Sequence, residues 1–504
     1  MVLTVSELFG NDMVLQRERE ISVWGTAEKH VKITVDFQGR TAETVSDGEG
    51  KWRVKLPPMP ASRGGVLTVR DRKETVTFEN VAVGEVWLAG GQSNMEFYMR
   101  YDKDLKAQLP ECENPDIRFF DYPRVPCEKA GERRDYSAFG WWRTCTPENL
   151  QWFSAVGYYF ARDLQRALGV PVGIVGCNCG GTRSCCWMDE ETIRECGPEW
   201  LEDYEKGVAE IGDLAAAEEQ YLSLAFTDNS NPFENAILDK FMYGIPQEEM
   251  AAGLAGMEEN MLVGNRIGPW HEWRPAGLYR RMVEHICPFT LRGVIWYQGE
   301  SDETHPDRYA DMMCGLIGLW RRRWGAEMPF IMAQLAPYET GGQAYPALRE
   351  RQVEVTERME QVWLVPTGDV GSDYDIHPKE KQPIGVRMAL SARGHVYGEK
   401  LLCDAPVCAG ASRDGNSAVL RFGNAAGGLT VKGNRVQALE VLAGDSAVPP
   451  ESWTAEAEGD ALRIRFRDGI PAEKVTVRFA KTPYFEVNLY NAAGIPAFPF
   501  AAEV

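Results

Sequence analysis

The stretch Gly84–Glu96 constrains the fold of this chain more than any other. It reads Gly-Glu-Val-Trp-Leu-Ala-Gly-Gly-Gln-Ser-Asn-Met-Glu, an apolar strand followed by two glycines, a serine and a segment able to begin a helix. In an α/β protein this order lifts a hydroxyl to the carboxyl end of a parallel strand, where such sheets bind ligands. Ser93 is therefore a candidate nucleophile whose own N–H helps to bind an oxyanion. The alternative is that Ser93 and Asn94 simply cap the helix.

The hydrophobic pattern changes on either side of residue 84. Apolar and polar residues alternate over 31–37 and 52–56, with a turn sequence at 46–50, which predicts a β module over residues 1–83. From residue 84 to 400, short apolar strands alternate with amphipathic helices, which predicts a parallel sheet covered on both faces. The clearest helix is Ser154–Leu168, with Ser154 as its N-cap and Gly169 at its end.

Two further segments do not follow this alternation of strands and helices. Residues 189–275 are rich in acidic side chains and poor in β character, which predicts a mostly helical insertion with a solvated face. Alternation returns over 462–466 and 475–479 and predicts a second β module over 401–504. The expected fold is thus an α/β domain at 84–400 between two β-sandwich-like modules.

Composition excludes several partners. A chain of 504 residues is too long for one hydrophobic core, and a net charge of −20 argues against nucleic acid or an anionic membrane. No stretch reaches the ~18 apolar residues that cross a bilayer, and the start lacks a secretory signal, so we expect a cytoplasmic protein. The alternative is an exported form from which the signal has been trimmed. Among the twelve cysteines, Cys177-x-Cys179 and Cys185-Cys186 lack CxxC spacing, so we expect no metal site. Because no export signal is seen, we expect mostly reduced, buried thiols.

A serine hydroxyl needs a base to remove its proton, and a histidine is the usual one. Of the six histidines, His377 is the best placed, because its segment Ser372–Pro378 follows the fifth strand of the α/β layer and precedes a helix. This position puts it at the same predicted sheet edge as Ser93.

The tetrahedral oxyanion needs hydrogen-bond donors. Two glycine-bearing turns, Gly180-Gly181-Thr182 and Gln298–Ser301, end two other strands of the same layer. We expect the Ser93 N–H, an N–H of Gly180 or Gly181 and the Gln298 amide to converge. Gln92 and Asn94, which flank the serine, are candidate substrate-binding residues.

These motifs together resemble the sialate O-acetylesterases, a family of the SGNH-hydrolase superfamily. The matching blocks are Gly91–Met95, Gly180–Thr182, Trp296–Ser301 and Asp375–Pro378, with further likeness at Met13–Arg17, Val23–Gly25, Asn488–Asn491 and Pro496–Pro499. The resemblance covers nearly the whole chain. It implies a flavodoxin-like hydrolase layer with accessory β modules, a serine and histidine mechanism, acetylated sugars as substrates, and neither cofactor nor metal.

The chain departs from the superfamily pattern in three places. The acid expected three residues before the histidine is replaced by Tyr374, so the orienting acid is Asp375, Asp373, Asp369, or Glu300 as in related acetylxylan esterases. The asparagine donor of the third block is absent, and Gln298 is the natural substitute. Arg183 stands where relatives often carry proline, and it pairs either with a substrate carboxylate or with a surface acid.

The resulting hypothesis is a serine esterase that removes O-acetyl groups from a sugar, most directly an O-acetylated sialic acid. The nearest alternative is the same chemistry on acetylated xylan or another neutral glycan, which the acidic net charge favours. An alternative of another class is a non-catalytic carbohydrate-binding protein. Homo-oligomerisation is left open.

Overall fold

The structure is a computed structural model that describes residues 2–122, 141–222 and 267–504. The chain divides into two compact units, Met1–Ser301 with Ala310–Phe330, and Asp302–Tyr309 with Ile331–Val504. The first unit holds a mixed parallel and antiparallel sheet, and both units carry helices, so the expected α/β fold class is confirmed.

The first unit begins with the β structure that the alternation predicted. The strand Lys51–Leu56 buries Trp52, Val54 and Leu56 on one face and exposes the residues between them. It belongs to a three-stranded antiparallel sheet with Thr4–Val5 and Ile21–Thr26. In the larger sheet, Arg40–Val45 pairs antiparallel with Lys32–Phe37, which pairs antiparallel with Ser62–Arg70.

One long strand, Thr75–Gly91, organises the larger sheet. Its first half pairs antiparallel with Ser62–Arg70 and, near its middle, parallel with Val14–Gln16. Its second half lies between the parallel strands Val172–Asn178 and Gly293–Tyr297. The sheet continues outward through the strands Asn114–Asp121 and Trp142–Cys145. The strand passes without a break through the domain boundary expected at residue 84. The division into domains at 1–83, 84–400 and 401–504 remains a prediction.

In the first unit, the helix Ala155–Leu168 packs against two strands of the large sheet. Ala155–Leu168 has the predicted ends: Ser154 Oγ accepts the Gly157 N–H at 3.1 Å, and Gly169 adopts a left-handed φ of 67°. The other helices are Ser93–Glu96, Leu105–Gln108, Pro147–Leu150, Glu190–Cys196, Glu199–Ile211, Leu214–Leu222, Glu284–Ile286 and Tyr309–Trp324, with a π-helical turn at Tyr279–Val283. The first residue of Tyr309–Trp324 belongs to the other unit. Single 3₁₀ turns lie at Met99–Tyr101, Leu109–Glu111 and Ser184–Trp187.

The predicted acidic insertion, residues 189–275, is described up to residue 222 and again from 267. Its described start is helical, with three helices between Glu190 and Leu222. The remainder of that prediction, residues 223–266, lies outside the described residues. None of the helices in the described part of the chain combines the length and hydropathy that a bilayer-spanning segment needs.

The second unit holds the end of the α/β pattern and the C-terminal strands. Its first strands are Phe330–Ala333 and Val362–Val365, and the first residue of Phe330–Ala333 belongs to the other unit. Its helices are Ala344–Arg358 and Gln382–Ser391. The second helix ends in a π-helical turn, Ala392–Val396. The short 3₁₀ turns are Pro306–Arg308, Glu339–Gly341 and Pro450–Ser452, while Glu300–Asp302 straddles the two units.

Three antiparallel sheets follow in this second unit and share one apolar core. The predicted alternation at 462–466 and 475–479 falls on strands that bury Leu462, Ile464, Phe466, Val477 and Phe479. The strands are, sheet by sheet, Val407–Asp414, Ser417–Gly423, Ala461–Phe466 and Trp453–Glu458; Leu429–Val431 and Leu489–Asn491; and Ser446–Ala447, Leu439–Ala443, Val475–Phe479 and Phe500–Glu503.

Candidate active site

A glycine turn delivers Ser93 to the end of the long strand. Gly91 has a φ of 136°, and a Cβ built there would lie 2.1 Å from the Tyr297 carbonyl oxygen, so only glycine fits. Ser93 is the first residue of the helix Ser93–Glu96, and the N-cap is Gln92, whose side chain makes no capping bond. The interpretation of Ser93 and Asn94 as N-cap residues is therefore wrong.

Gln92 ties the serine to the turn that follows the neighbouring strand. Its N–H donates to the Tyr297 carbonyl at 3.0 Å. Its Oε1 accepts the N–H of Gly299 at 3.2 Å and that of Ser301 at 3.4 Å. The side chain predicted to bind substrate thus holds the shape of the turn Gln298–Ser301 beside Ser93.

The Gly180 turn lies directly against the serine. The Cys179 N–H donates to the Gly91 carbonyl at 3.0 Å, and a Cβ on Gly180 would lie 3.3 Å from Ser93 Cβ. The Gly180 N–H donates to Glu96 Oε2 at 2.8 Å. The structure therefore places Gly180 beside Ser93, and a carboxylate already accepts the N–H of one of the two glycines that were candidates for the oxyanion.

Gln298 belongs to the same network. Its side chain is fully buried, and its Nε2 donates to the Thr182 carbonyl at 3.1 Å. Thr182 Oγ1 in turn donates to the Cys179 carbonyl at 2.8 Å. An amide nitrogen carries two hydrogens, and the bond to Thr182 uses one of them.

Glu300 is held in place by the residue after the serine. Asn94 Nδ2 donates to Glu300 Oε1 at 2.5 Å, and both residues are buried. Asn94, predicted to bind substrate, therefore fixes a carboxylate that is itself a candidate orienting acid. Hydrogen bonds thus link Ser93 or its neighbours to the turns of two adjacent parallel strands.

Gly181 and Arg183 belong to the Gly180 turn and the residue that follows it, and each contacts a tryptophan. Gly181 has a φ of 72°, and a Cβ there would come within 2.6 Å of the Trp273 indole, which covers this glycine. The guanidinium of Arg183 stacks over the Trp200 ring at 5.5 Å. Within residues 2–122, 141–222 and 267–504, no carboxylate lies in ion-pair range of Arg183, so the surface ion pair is not observed there.

His377 lies in the second unit, in the loop between the strand Val362–Val365 and the helix Gln382–Ser391, as predicted. Its backbone N–H donates to Asp375 Oδ1 at 2.8 Å, whereas the same oxygen is 4.0 Å from the ring nitrogen Nδ1. The other oxygen, Asp375 Oδ2, is 2.9 Å from Lys379 Nζ. A separation of 4.0 Å exceeds a hydrogen bond, so Asp375 caps a local turn and does not hold the imidazole.

The other acidic candidates near His377 in the sequence either pair with another residue or are exposed to solvent. Both oxygens of Asp369 accept from Arg387, at 2.8 and 2.6 Å, and Tyr490 Oη donates to Oδ2 at 3.3 Å. Asp373 is exposed, and Tyr374, at the position where the superfamily carries its acid, is 47% exposed.

The surroundings of His377 favour its neutral form. Burial lowers the pKa of His377 to about 3, and the positive charges of Lys381 and Lys379 add to the effect. Lys381 is fully buried, and burial also lowers the pKa of Lys379. A neutral imidazole carries the lone pair that a general base requires.

Three residues that contact the candidate site residues were not predicted from the sequence: Glu96, Trp273 and Lys379. Glu96 lies three residues after Ser93, one helical turn on, and that spacing was a readable signal. Trp273 is 92 positions from the glycine it covers, and no local pattern connects the two.

The chain is similar to known proteins over much of its length. Residues 249–392 match a family model described as "Carbohydrate esterase, sialic acid-specific acetylesterase". The chain is 26% identical over 432 residues to a sialate O-acetylesterase of Mus musculus, covering 78% of this chain and 73% of the mouse protein. The corresponding Homo sapiens protein is 25% identical and covers 78% and 71%.

A solved structure is also similar over the full length. A carbohydrate acetylesterase from Xanthomonas citri is 29% identical, covers 99% of each chain and gives a TM-score of 0.75. Together these likenesses confirm the resemblance to the sialate O-acetylesterases that the sequence motifs indicated. They also confirm that the expected class of enzyme is a carboxylic ester hydrolase.

Proposed function

We propose, from the premise that this chain is a carbohydrate esterase similar to the sialate O-acetylesterases, that it hydrolyses O-acetyl esters of sugars, sialic acids first among them. The observation that carries the proposal is the network around Ser93. Gly91, the Gly180 turn and the Gln298–Ser301 turn are hydrogen-bonded into one frame at the carboxyl ends of three parallel strands. Such a frame positions a hydroxyl beside donors for an oxyanion.

In this mechanism Ser93 Oγ attacks the acetyl carbonyl carbon while His377 takes the hydroxyl proton. The carbonyl π bond becomes an oxyanion, and collapse breaks the ester bond as His377 returns the proton to the departing sugar oxygen. Water then attacks the acetyl-enzyme by the same route and releases acetate. The Ser93 N–H, the Gly181 N–H and the Gln298 amide bind the oxyanion, and Gly180 keeps its bond to Glu96.

Glu300 is the proposed orienting acid. Asp369 is committed to Arg387, and Asp375 to Lys379 and a backbone N–H. Glu300 is buried, and Asn94 fixes one of its oxygens. A fixed carboxylate of this kind is what stabilises the imidazolium formed during attack.

The positive charge of Arg183 helps to distinguish an anionic sugar from a neutral one as the substrate. Its guanidinium follows the Gly180-Gly181 turn directly and stacks on Trp200, without a carboxylate from the described residues. A carboxylate of the substrate fits that charge, which favours a sialic acid. The net charge of −20 favours a neutral glycan such as acetylated xylan, and this remains the second candidate.

For the architecture we propose the finer arrangement that the resemblance implies: a flavodoxin-like three-layer SGNH-hydrolase domain at residues 84–400 with a helical insertion at 189–275. The flanking β-sandwich-like modules are 1–83 and 401–504. The strand Thr75–Gly91 runs through one sheet from the 1–83 module into the 84–400 domain, which supports a close connection between these two parts. Acetylated glycans are the proposed partners, and location, self-association and independence from membranes stay predictions from the sequence.

The test is acetate release from O-acetylated sialic acid and acetylated xylan by wild type, Ser93→Ala and the control Ser412→Ala, which changes an exposed serine of the second unit. We expect activity in wild type and the control alone, and a serine-directed organophosphonate should label Ser93. Labelling of another serine would overturn the assignment. Glycan binding without acetate release from any substrate would instead establish the non-catalytic carbohydrate-binding alternative.

A further inference from the structure

A cluster of three different ligand types lies in the second unit, on elements that the ester chemistry does not use. His395 stands in the π-helical turn Ala392–Val396, and Cys403 and Asp404 follow shortly after it in the chain. One donor atom from each residue lies within 4.8 Å of the other two. Imidazole, thiolate and carboxylate are the donors that bind zinc in proteins.

The two partners of the imidazole meet at one atom. His395 Nε2 lies 2.7 Å from Asp404 Oδ1 and 3.5 Å from Cys403 Sγ. A Cys-His-Asp catalytic relay would use opposite ring nitrogens for its acid and its nucleophile. Because both groups approach the same nitrogen, this cluster is not such a relay. Two potential ligands beside one ring nitrogen instead suit a shared cation in place of the proton on that nitrogen.

The nitrogen–sulfur separation fits a tetrahedral site, and the nitrogen–oxygen separation needs a small adjustment. With Zn–N and Zn–S bonds of about 2.0–2.1 and 2.3 Å, a nitrogen and a sulfur ligand lie about 3.6 Å apart, close to the observed 3.5 Å. A nitrogen and an oxygen ligand lie about 3.4 Å apart in the same geometry, so Asp404 Oδ1 must withdraw by about 0.7 Å. The Asp404 side chain is 38% exposed and has room to rotate.

The surroundings hold two of the ligands rigidly. The His395 ring stacks on Trp363, with centroids 4.6 Å apart and planes 9° from parallel. Gly394 lets the thiol approach, because a Cβ there would lie 2.4 Å from Cys403 Sγ. The Asp404 carbonyl accepts from Asn491 Nδ2 at 2.9 Å, which anchors this segment to the C-terminal sheets.

Charge also suits a divalent cation. A thiolate and a carboxylate supply two negative charges beside a neutral imidazole, which balances Zn²⁺. The neighbouring cation, Arg393, is paired with Glu399 at 2.7 Å. The exposed edge at Asp404 gives an entry path and leaves the fourth position to water.

We propose that His395, Cys403 and Asp404 bind a zinc-class divalent cation that clamps the end of the helix Gln382–Ser391 to the segment preceding the strand Val407–Asp414. Binding releases two protons to solvent, the thiol proton of Cys403 and the proton that His395 Nε2 donates to Asp404 Oδ1, and His395 then coordinates through Nε2. The clamp is structural, and the proposed hydrolysis takes no step through it.

The experiment uses the full-length protein, stripped with a chelator and dialysed against Zn²⁺ or Co²⁺. We expect one equivalent of metal and, for Co²⁺, the charge-transfer absorption of a thiolate ligand. Zn²⁺ should raise Tm, because a ligand that binds only the native state stabilises it. Cys403→Ser and His395→Gln should lose the metal, the absorption and the Tm shift.

Two further variants make the test specific to this site. Cys408→Ser removes a half-buried thiol outside the cluster and should change nothing. Gly394→Ala keeps every ligand but displaces the sulfur, and should weaken metal affinity about 10–100-fold, as for residues that orient ligands. Asp404→Asn, with an exposed side chain that folding tolerates, should weaken binding even if a cysteine variant misfolds. Less than one equivalent of either metal on wild type, or a band that persists in Cys403→Ser, would refute the site.

Discussion

The N–H of Gly180 donates to Glu96 Oε2 at 2.8 Å, one helical turn beyond Ser93. This bond fixes the turn that lies against the serine, and it engages the N–H of one of the two glycines, Gly180 and Gly181, that were candidates for binding the oxyanion. Glu96 is buried, so its bond to the glycine is shielded from water. The relationship defines Glu96 as a positioning residue for the frame around Ser93.

Replacing Glu96 tests that role. Glu96→Ala removes the acceptor and should lower kcat by about tenfold or more, since a hydrogen bond to a charged group contributes ~1.5–3 kcal/mol. Glu96→Gln keeps an oxygen acceptor at the same position and should retain most of the activity. Both variants are measured by acetate release. A faster Glu96→Ala enzyme would show instead that Gly180 serves the oxyanion and that the carboxylate competes with it.

The orienting acid is tested by comparing Glu300→Gln with Asp375→Asn. Both changes keep the shape of the side chain and remove its charge. We expect Glu300→Gln to lower kcat ~10³-fold or more with little change in KM, and Asp375→Asn to lower it less than about tenfold. Asp375 serves Lys379 and a backbone N–H, and its loss should appear mainly in Tm. The reverse ranking would assign the role to Asp375, and two small effects would leave a serine and histidine dyad.

The environment of His377 predicts a pH dependence of folding. Its folded pKa is about 3, below the ~6.5 of an unfolded chain, so between these values the unfolded state binds the extra proton. Stability is therefore lost as pH falls through that window, by about 1.4 kcal/mol per pH unit for one proton.

Denaturant unfolding of wild type and His377→Gln at pH 7 and pH 4.5 measures this effect. The glutamine does not titrate, so the variant should lose less stability on acidification than wild type does. Parallel losses in the two proteins would mean that His377 binds its proton in the folded state near pH 6.5.

Arg183→Gln tests the charge of the substrate. If the guanidinium pairs with the carboxylate of a sialic acid, the variant should raise KM for O-acetylated sialic acid about 10–100-fold, the effect of a charged hydrogen bond. Hydrolysis of a neutral acetylated sugar should be unchanged. Arg194→Gln, at an exposed arginine on the helix Glu190–Cys196, is the matched control. Equal effects on both substrates would exclude a carboxylate contact and favour the neutral glycan.

Local patterns predicted much of the secondary structure. The strands at 52–56, 293–297 and 362–365 and the helix Ala155–Leu168 lie where alternation, apolar runs and capping residues indicated. These signals succeed because burial on one face of a strand or helix imposes a fixed period on the sequence. The acid could not be chosen in this way, because Asp369, Asp375 and Glu300 are chemically alike and only their partners distinguish them.

By itself, the sequence determined the elements, the glycine turn before Ser93 and the strand ends at which the candidate residues stand. These follow from short-range physics: a glycine at positive φ, an apolar period and a capping oxygen are all written in neighbouring residues. Only the tertiary structure decided that Glu96 binds Gly180, that Gln92 holds the turn Gln298–Ser301, and that His395 meets Cys403 and Asp404 at one nitrogen. The first two join groups on different strand ends, and the third depends on how a helix end packs against a later segment. Such side-chain pairings are fixed by the packed chain, because a hydrogen bond or a ligand set depends on distances of a few tenths of an ångström that no spacing in a sequence encodes.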